Sequence, residues 1–485
     1  MPNRGISAFG AYIPKLRMCR EAIAEAHAWS MPGLRGLGRG TRSFCNWDED
    51  SITLAVEAVR VCLSGDAPDG IGSLAFASTT APFLDLQNAS VVARASGLAD
   101  TLRTQDSAGS TRAGVTALVT ALQAGDQADS LVVAADNRKA RPGSIQEMHY
   151  GAGAAAFRVS DCAGVIARYL GSHSVNNQFI DHYRAAGADY DYYWEERWIR
   201  DEGYMKVVPA AVSALLEKLQ LAAADINHFC MPGYIRGLAS SLAKRVGIAE
   251  DAVLDNLSGE VGDTGTPQPL LMLAMALEHA RPGDKISVVG FGAGCDVILL
   301  EATEAISAYQ QARGTSDLGS ELAPVKHYTK FLAFQDKLDL DWGIRSETDS
   351  RVALSQLSRA QDQVTGFEAG VCHACNAVQF PILSVCVQCG SCEAMGRQRL
   401  ADEPASVATF ASDALQYYPS PPMYWGLVQF DNGARLLMEM VEMDPENFGV
   451  GSRLKMVYRI KQKDEQRGLH RYFWKAVPAQ QGGQL

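Results

Sequence analysis

Asp50-Ser51-Ile52-Thr53-Leu54-Ala55-Val56-Glu57-Ala58-Val59 reads as a helix, and Ser73–Ala77 shortly after it reads as a buried strand. That pairing decides the fold, because it recurs to about residue 305. Further apolar runs, Ser130–Ala134, His228–Met231 and Ile286–Val289, have the continuous character of strands covered on both faces. Arg112–Ala124, Pro209–Leu219 and Leu270–Ala280 alternate with them as helices, the last stopping near Arg281-Pro282-Gly283. Strands alternating with helices predict a layered α/β domain over residues 1–310.

Beyond it, residues 306–325 turn polar and small, with Gly314 and Gly319 as breakers, and mark a boundary. A helical pattern from about Lys326 to Gln363 makes residues 311–368 a linker with a helical segment. A cysteine-dense stretch occupies 369–400. Strand-like runs follow at Ser406–Phe410, Tyr424–Phe430, Arg435–Val441 and Leu454–Ile460, and Asp431-Asn432-Gly433 is a hairpin signal between two of them. Short strands with tight turns predict a small β-barrel over 401–480, with a frayed tail behind it.

Composition narrows the function. Across 485 residues, 44 Lys and Arg against 55 Asp and Glu leave a net charge of −11. Such a chain has no global attraction for polyanions, which leaves only a local basic groove for a small anionic cofactor. No stretch approaches the roughly 18 continuous apolar residues of a membrane span. The opening Met1-Pro2-Asn3-Arg4-Gly5-Ile6 lacks a secretory apolar region. The expectation is a cytoplasmic protein without nucleic-acid or membrane partners.

Of 11 cysteines, five fall between Cys372 and Cys392, a pattern of metal ligation with scattered reduced thiols and not of a disulfide framework. Cys372-His373-Ala374-Cys375, ten residues, and Cys386-Val387-Gln388-Cys389 place two thiolates on each of two turns, enough for a tetrahedral ion. Zn²⁺ suits a closed four-sulfur site, and a closed site is structural. A redox pair is the plain alternative, and Cys392 and His373 stand near enough in sequence to substitute for a ligand.

A zinc ribbon followed by such a barrel resembles the small rubredoxin-like zinc-ribbon and OB-fold domain that accompanies thiolase-like acyl-CoA enzymes. Tyr424-Trp425-Gly426-Leu427-Val428-Gln429-Phe430 and Tyr472-Phe473-Trp474-Lys475 carry that likeness. Nucleic-acid binding by the barrel would use Tyr417, Tyr418, Tyr424 and Trp425 as stacking platforms. Asp413, Asp431, Glu439, Glu442 and Asp444 beside them remove the basic groove, so docking or guiding an acyl-CoA is the better reading.

Three segments of the first domain resemble hydroxymethylglutaryl-CoA synthase and its ketoacyl-synthase relatives in the thiolase superfamily. These are Gly10-Ala11-Tyr12-Ile13-Pro14-Lys15-Leu16-Arg17, the stretch from Asn46 to Ala58, and the loop Gly290-Phe291-Gly292-Ala293-Gly294. The resemblance implies a five-layer αβαβα sandwich of two similar halves, a homodimer, coenzyme A as part of an acyl-CoA substrate, and Gly292 and Gly294 as cofactor-binding positions.

Four positions depart from the family pattern. The nucleophile turn Cys-x-Gly-x-Thr reads Ser107-Ala108-Gly109-Ser110-Thr111, and the Phe-His-x-Pro histidine is replaced in Phe229-Cys230-Met231-Pro232. The Gly-Asn-Thr asparagine becomes Asp263, and the acid/base glutamate becomes Thr79. A serine hydroxyl is a far weaker nucleophile than a helix-start thiolate and needs a base. Cys230 does not reproduce a histidine base, and Asp263 adds charge where the family has an amide.

Aldol-type chemistry remains, because it needs no acyl-enzyme: a base takes a β-hydroxyl proton and donors hold the thioester enolate. Asp263, Tyr234 and His228 are the candidate bases; Ser107 and backbone N–H groups near Gly292 are the candidate donors. This architecture is similar to the steroid side-chain aldolases and related acyl-CoA carbon–carbon lyases. Two other readings stand beside it: a hydroxymethylglutaryl-CoA-synthase-like acyltransferase using Ser107, and a non-catalytic subunit that binds acyl-CoA or a partner thiolase. Residue by residue, Ser107 as a small turn filler, Cys230 as a buried hydrophobe and His228 as a structural histidine are the bland alternatives. The aromatic stretch Asp181–Trp198 serves equally as the wall of a wide acyl pocket or as a dimer contact.

Overall fold

A computed structural model describes residues 4–64, 68–125, 128–162, 164–313, 322–341 and 352–479. Its contacts divide the chain into two units: one of residues 1–46, 50–92 and 99–335, and a second of 47–49, 93–98 and 336–485.

In the first unit nine strands make one mixed sheet. They are β1 (Arg4–Tyr12), β2 (Ile71–Ala77), β3 (Arg103–Ser107), β4 (Asp129–Asn137), β5 (Ala152–Asp161), β6 (Ala167–Asn176), β7 (Ile226–Cys230), β8 (Lys285–Phe291) and β9 (Gly294–Ala302). Their order is β7-β8-β9-β6-β1-β5-β4-β2-β3. The first half, β3-β2-β4-β5-β1, has its first three strands parallel and the next two pairings antiparallel. The second half repeats this as Val253-β7-β8-β9-β6, with a single parallel bridge from Val253 to Phe229 in place of the outer strand. Antiparallel pairing of β1 with β6 joins the two.

The helices repeat as well. On the first half α1 (Ser51–Leu63) covers β1, β4 and β5; on the second α4 (Met205–Leu219) covers β6 and β9. Between the halves, α2 (Ala113–Gln123) and α5 (Gln268–His279) touch each other and strands of both. Five αβαβα layers result, as expected. The two central helices are apolar nearly all round because they are covered on every side. Gly114 on α2 permits this, since a Cβ there would stand 2.8 Å from the Thr266 carbonyl. Asp50 starts α1 by accepting the Ile52 and Thr53 N–H groups at 3.0 Å, a side-chain cap. A short helix, α3 (Ile145–His149), capped by Ser144, leads into β5.

The expected helical segment from about Lys326 to Gln363 is helical in part, and its residues 342–351 lie outside the described residues. Tyr328–Phe334 is helical, the chain turns at Asp336 with φ +56°, and Leu354–Arg359 and Gln361–Val364 are separate short helices. The expected polar boundary at 306–325 begins instead as a helix, Ala305–Arg313, with Arg313 bonded to three backbone carbonyls. Residues 314–321 of that boundary and the tail beyond 479 lie outside the described residues.

The second unit holds a closed five-stranded barrel: β10 (Ala405–Asp413), β11 (Met423–Phe430), β12 (Arg435–Met440), β13 (Arg453–Asp464) and β14 (Leu469–Pro478). The order β10-β11-β12-β14-β13, closed by β13 on β10, is consistent with an OB-fold. The hairpin expected at Asp431-Asn432-Gly433 is present, with Gly433 at φ +95° donating its N–H to Phe430. Trp47–Glu49 packs with this barrel. Lys475, fully buried, bonds Asp48 at 2.9 Å and Glu439 at 2.7 Å and lies over the Trp47 ring, while Arg459 pairs with Glu49 and Glu442.

Candidate active site and metal centre

The parallel strands of the first half end at the loops carrying Thr79, Ser107 and Arg138, and β7 ends at Cys230. A buried carboxylate organises this end. Asp136 accepts hydrogen bonds from the Ser78, Thr79 and Thr80 hydroxyls and from the Thr79, Thr80 and Thr266 N–H groups, at 2.8–3.0 Å. Thr79 is therefore held as a structural donor, its hydroxyl spent on Asp136.

Asp263 sits on the loop before α5, and its charge is not free. Arg138, buried at the end of β4, donates Nη1 to Asp263 Oδ2 at 2.8 Å and Nη2 to Asp191 at 3.2 Å. The guanidinium stacks on the Tyr150 ring, 3.6 Å from its centroid, and Tyr150 donates its hydroxyl to Asp191 at 2.8 Å. Arg184 adds a second cation on Asp191 and bonds the Thr79 carbonyl. Burial alone would raise the Asp191 carboxyl, but Arg138 and His182 hold it below the usual range. The remaining oxygen of Asp263, Oδ1, accepts the Gly265 N–H at 2.8 Å. An acid that sequence alone offers as a base is thus tied on both oxygens.

An aromatic group flanks that pair. His149, the last residue of α3, stacks on Tyr234 at 4.6 Å, and its carbonyl accepts the Asp263 N–H at 2.7 Å. Tyr234 donates its hydroxyl to Tyr193, and burial raises both phenols. Burial first, and Arg20 second, push the His149 imidazole down to about 4, so it is neutral at ordinary pH. From the expected aromatic wall, Tyr193 turns in with Asp191, whereas Tyr183, Tyr192, Trp194 and Trp198 stay about half exposed.

The other expected residues divide. Ser107 ends β3 opposite Ala77, and among the described residues no hydrogen bond reaches its hydroxyl, so no base is hydrogen-bonded to it. Cys230 is fully buried in the core with α2 and α5, and burial pushes its thiol far up. His228 pairs with Asp284 at 3.2 Å, in the turn where β8 begins and away from the strand ends that carry the site. Gly292 and Gly294 owe their identity to close packing: a Cβ at the first would meet the Ser110 hydroxyl at 2.5 Å, and at the second the Val175 carbonyl at 2.1 Å. The Gly292 N–H is already donated to Gly294, which removes it as an enolate donor.

Sequence reading missed Arg138, Tyr150 and His149, and offered Asp191 only as part of the Asp181–Trp198 stretch. The Gly262-Asp263 motif carried one signal, since a new buried acid requires a cation, but which of the 44 Lys and Arg supplies it is a tertiary fact. Nearby, Arg35 and Arg39 line a cavity of about 670 Å³ with Cys19, Glu21, Ala24, Glu25, Gly38 and Gly40. Gly40 packs against Gly259, and Thr41 donates its N–H to that residue, four positions before Asp263.

In the second unit the four expected cysteines converge. Cys372 and Cys389 Sγ are 3.7 Å apart, Cys375 and Cys386 Sγ 3.6 Å, and all four lie within 4.8 Å of one another. A tetrahedral zinc with Zn–S bonds of about 2.3 Å has sulfur edges of about 3.8 Å, so the donor set fits. Asn376 and Gly390 each follow a Cys-x-x-Cys turn with φ +60° and +74°, and each donates its N–H back to the first cysteine of its turn. Cys392 and His373 lie outside the cluster.

Residues 216–299 match the family model described as the C-terminal part of 3-oxoacyl-[acyl-carrier-protein] synthase III. The hydroxymethylglutaryl-CoA synthase of Aeropyrum pernix is 27% identical over 363 residues, 73% of this chain and 96% of the relative. That of Thermococcus sibiricus is 31% identical over 313 residues, 62% and 87% of the two chains. Among solved structures, an HMG-CoA synthase complexed with CoA aligns with TM-score 0.60 at 17% identity, over 72% of this chain and 95% of that one. The 3-oxoacyl-(acyl carrier protein) synthase III of Pseudomonas aeruginosa aligns with TM-score 0.54 at 20% identity, over 62% and 99%.

Proposed function

Because the chain belongs to the hydroxymethylglutaryl-CoA synthase family, we propose that it acts on an acyl-CoA, making or breaking a carbon–carbon bond next to the thioester without an acyl-enzyme. The observation that carries this is the serine at the nucleophile turn, whose hydroxyl has no hydrogen-bonded base among the described residues. In the cleavage direction the β-hydroxyl proton passes to water, the O–H pair becomes the new carbonyl, the Cα–Cβ electron pair passes into a thioester enolate, and water reprotonates the enolate at Cα. The products are a shorter acyl-CoA and a carbonyl compound. Arg35 and Arg39 in the large cavity are suited to the phosphates of coenzyme A.

Intact-mass spectrometry after incubation with acetyl-CoA should find no acyl increment on Ser107, while β-hydroxyacyl-CoAs should yield shorter acyl-CoAs. An acetylated Ser107 would return the chain to its relatives' condensing route. That second reading is favoured by the named activity of those relatives.

The cysteine quartet is read as a structural zinc site, its four ligands being Cys372, Cys375, Cys386 and Cys389. Metal analysis should find about one zinc per chain, and Cys386→Ser should lose it and unfold the ribbon, since structural zinc supplies roughly 10 kcal/mol or more. A protein that folds equally well after chelation would overturn this. The half-exposed Tyr183, Tyr192, Trp194 and Trp198 support a homodimer face, and an association with a partner thiolase stays a proposal beside it.

A further inference from the structure

We propose that His149 donates the hydrogen bond that holds the thioester oxygen as it becomes an enolate, an inference that rests on the carbon–carbon reading above. Neither a family motif nor sequence spacing marks this residue.

A thioester enolate places a full negative charge on oxygen, and preorganised donors in a dry site are what stabilise it. Several donors at this end of the sheet are committed. The Gly292 N–H goes to Gly294, the Gly265 N–H to Asp263, the Arg138 Nη groups to Asp263 and Asp191, and the Tyr234 hydroxyl to Tyr193. Cys230 is sealed in the core and is a weak donor besides. The imidazole of His149 is open: among the described residues no hydrogen bond reaches either ring nitrogen.

Its placement is fixed from three sides. The carbonyl of His149 is anchored to the Asp263 N–H, the ring rests on Tyr234, and α3 ends there. The charged groups that act on the ring are Arg20, Asp263 and Arg42. Burial and the two guanidiniums make the imidazole a poor base, and the same field makes its N–H a better donor. A neutral imidazole can bond an oxyanion without competing to protonate it. His149 gains and loses no proton in this role. When an α-proton is lost to water, the C–H pair becomes the enolate double bond and the carbonyl π pair moves to oxygen; in cleavage the Cα–Cβ pair plays the same part.

The hydroxyls of Ser107, of Tyr193, which accepts from Tyr234, and of Tyr204 also lack an acceptor among the described residues; Ser107 stands at the nucleophile turn, and one experiment separates it from His149. Deuterium uptake at the α-carbon of acetyl-CoA and propionyl-CoA in D₂O, followed by mass spectrometry with the full chain, reads enolate formation directly. His149→Ala should slow uptake about 10²–10³-fold, the range for loss of one oxyanion donor. His149→Gln, which keeps a side-chain N–H, should regain about tenfold or more of that, with the Kd for CoA unchanged in both. Uptake that survives in His149→Ala but fails in Ser107→Ala overturns the assignment in favour of Ser107. Parallel loss of CoA affinity overturns it in favour of a binding role. A wild-type protein that exchanges no α-proton removes the carbon–carbon reading itself, which is a different result from an exchange indifferent to His149.

Discussion

Arg138→Met is expected to destabilise the first unit by about 3–5 kcal/mol, the range for stripping the partner from a buried charge. Arg138 stands between Asp263 and Asp191 and is itself almost fully buried, so its loss takes the cation from Asp263 and leaves Asp191 with Arg184, His182 and the Tyr150 hydroxyl. The pH dependence follows from the sign. Asp191 is held below its ordinary range, so its contribution is present above about pH 4 and is lost as pH falls through its lowered pKa. Without Arg138, burial weighs more heavily on Asp191 and raises it. The deficit should then be largest at neutral pH and shrink on acidification. Urea unfolding at pH 7.5 and 5 reads both effects. Asp263→Asn in the Arg138→Met background should recover part of the loss, since it removes the orphaned charge. A single variant that loses less than about 1 kcal/mol, the scale of an exposed pair, would mean that Arg138 does not neutralise this site.

Lys475→Met should have an effect of similar size in the barrel, again about 3–5 kcal/mol. Lys475 bridges Asp48, fully buried, to Glu439, which also accepts from Lys461 and from the Tyr418 hydroxyl. Burial would raise Glu439, yet Lys475 and Lys461 hold it below the usual carboxylate range. Its stabilising share is therefore complete above about pH 4.3 and is lost as pH drops below that. The unfolding midpoint of the second unit, read from Trp474 buried against Phe367, should fall in the variant. Adding Asp48→Asn and Glu439→Gln should restore much of it, because a buried ionic group can be replaced by neutral groups at little net loss. If the triple variant is no better than the single one, Lys475 acts through packing on Trp47 and not through charge.

Legibility differed by the range of the interaction. The four clustered cysteines were readable because each Cys-x-x-Cys turn is local, whereas Cys392 and His373 needed coordinates to be set apart from the cluster. Ser107, Cys230, Thr79 and Asp263 were found as departures, but their surroundings were not. Thr79 proves to serve Asp136, and Asp263 is answered by Arg138, 125 residues earlier in the chain. His149 left no mark, because a histidine at the end of a five-residue helix has no period or spacing to betray it. The segment from Asn46 to Ala58 looked like one piece of one domain. In space Asp50 caps α1 of the first unit while Trp47–Glu49 belongs with the barrel.

By itself, then, the chain's order of residues determined its layers, its barrel hairpin and its four-sulfur cluster, because apolar periodicity, turn chemistry and short ligand spacing act between near neighbours. Which charges meet in the buried site, which donors are spent and which histidine is left open were decided only by tertiary structure. A buried ion selects its partner by proximity in a low-dielectric interior, and sequence separation carries no record of that distance.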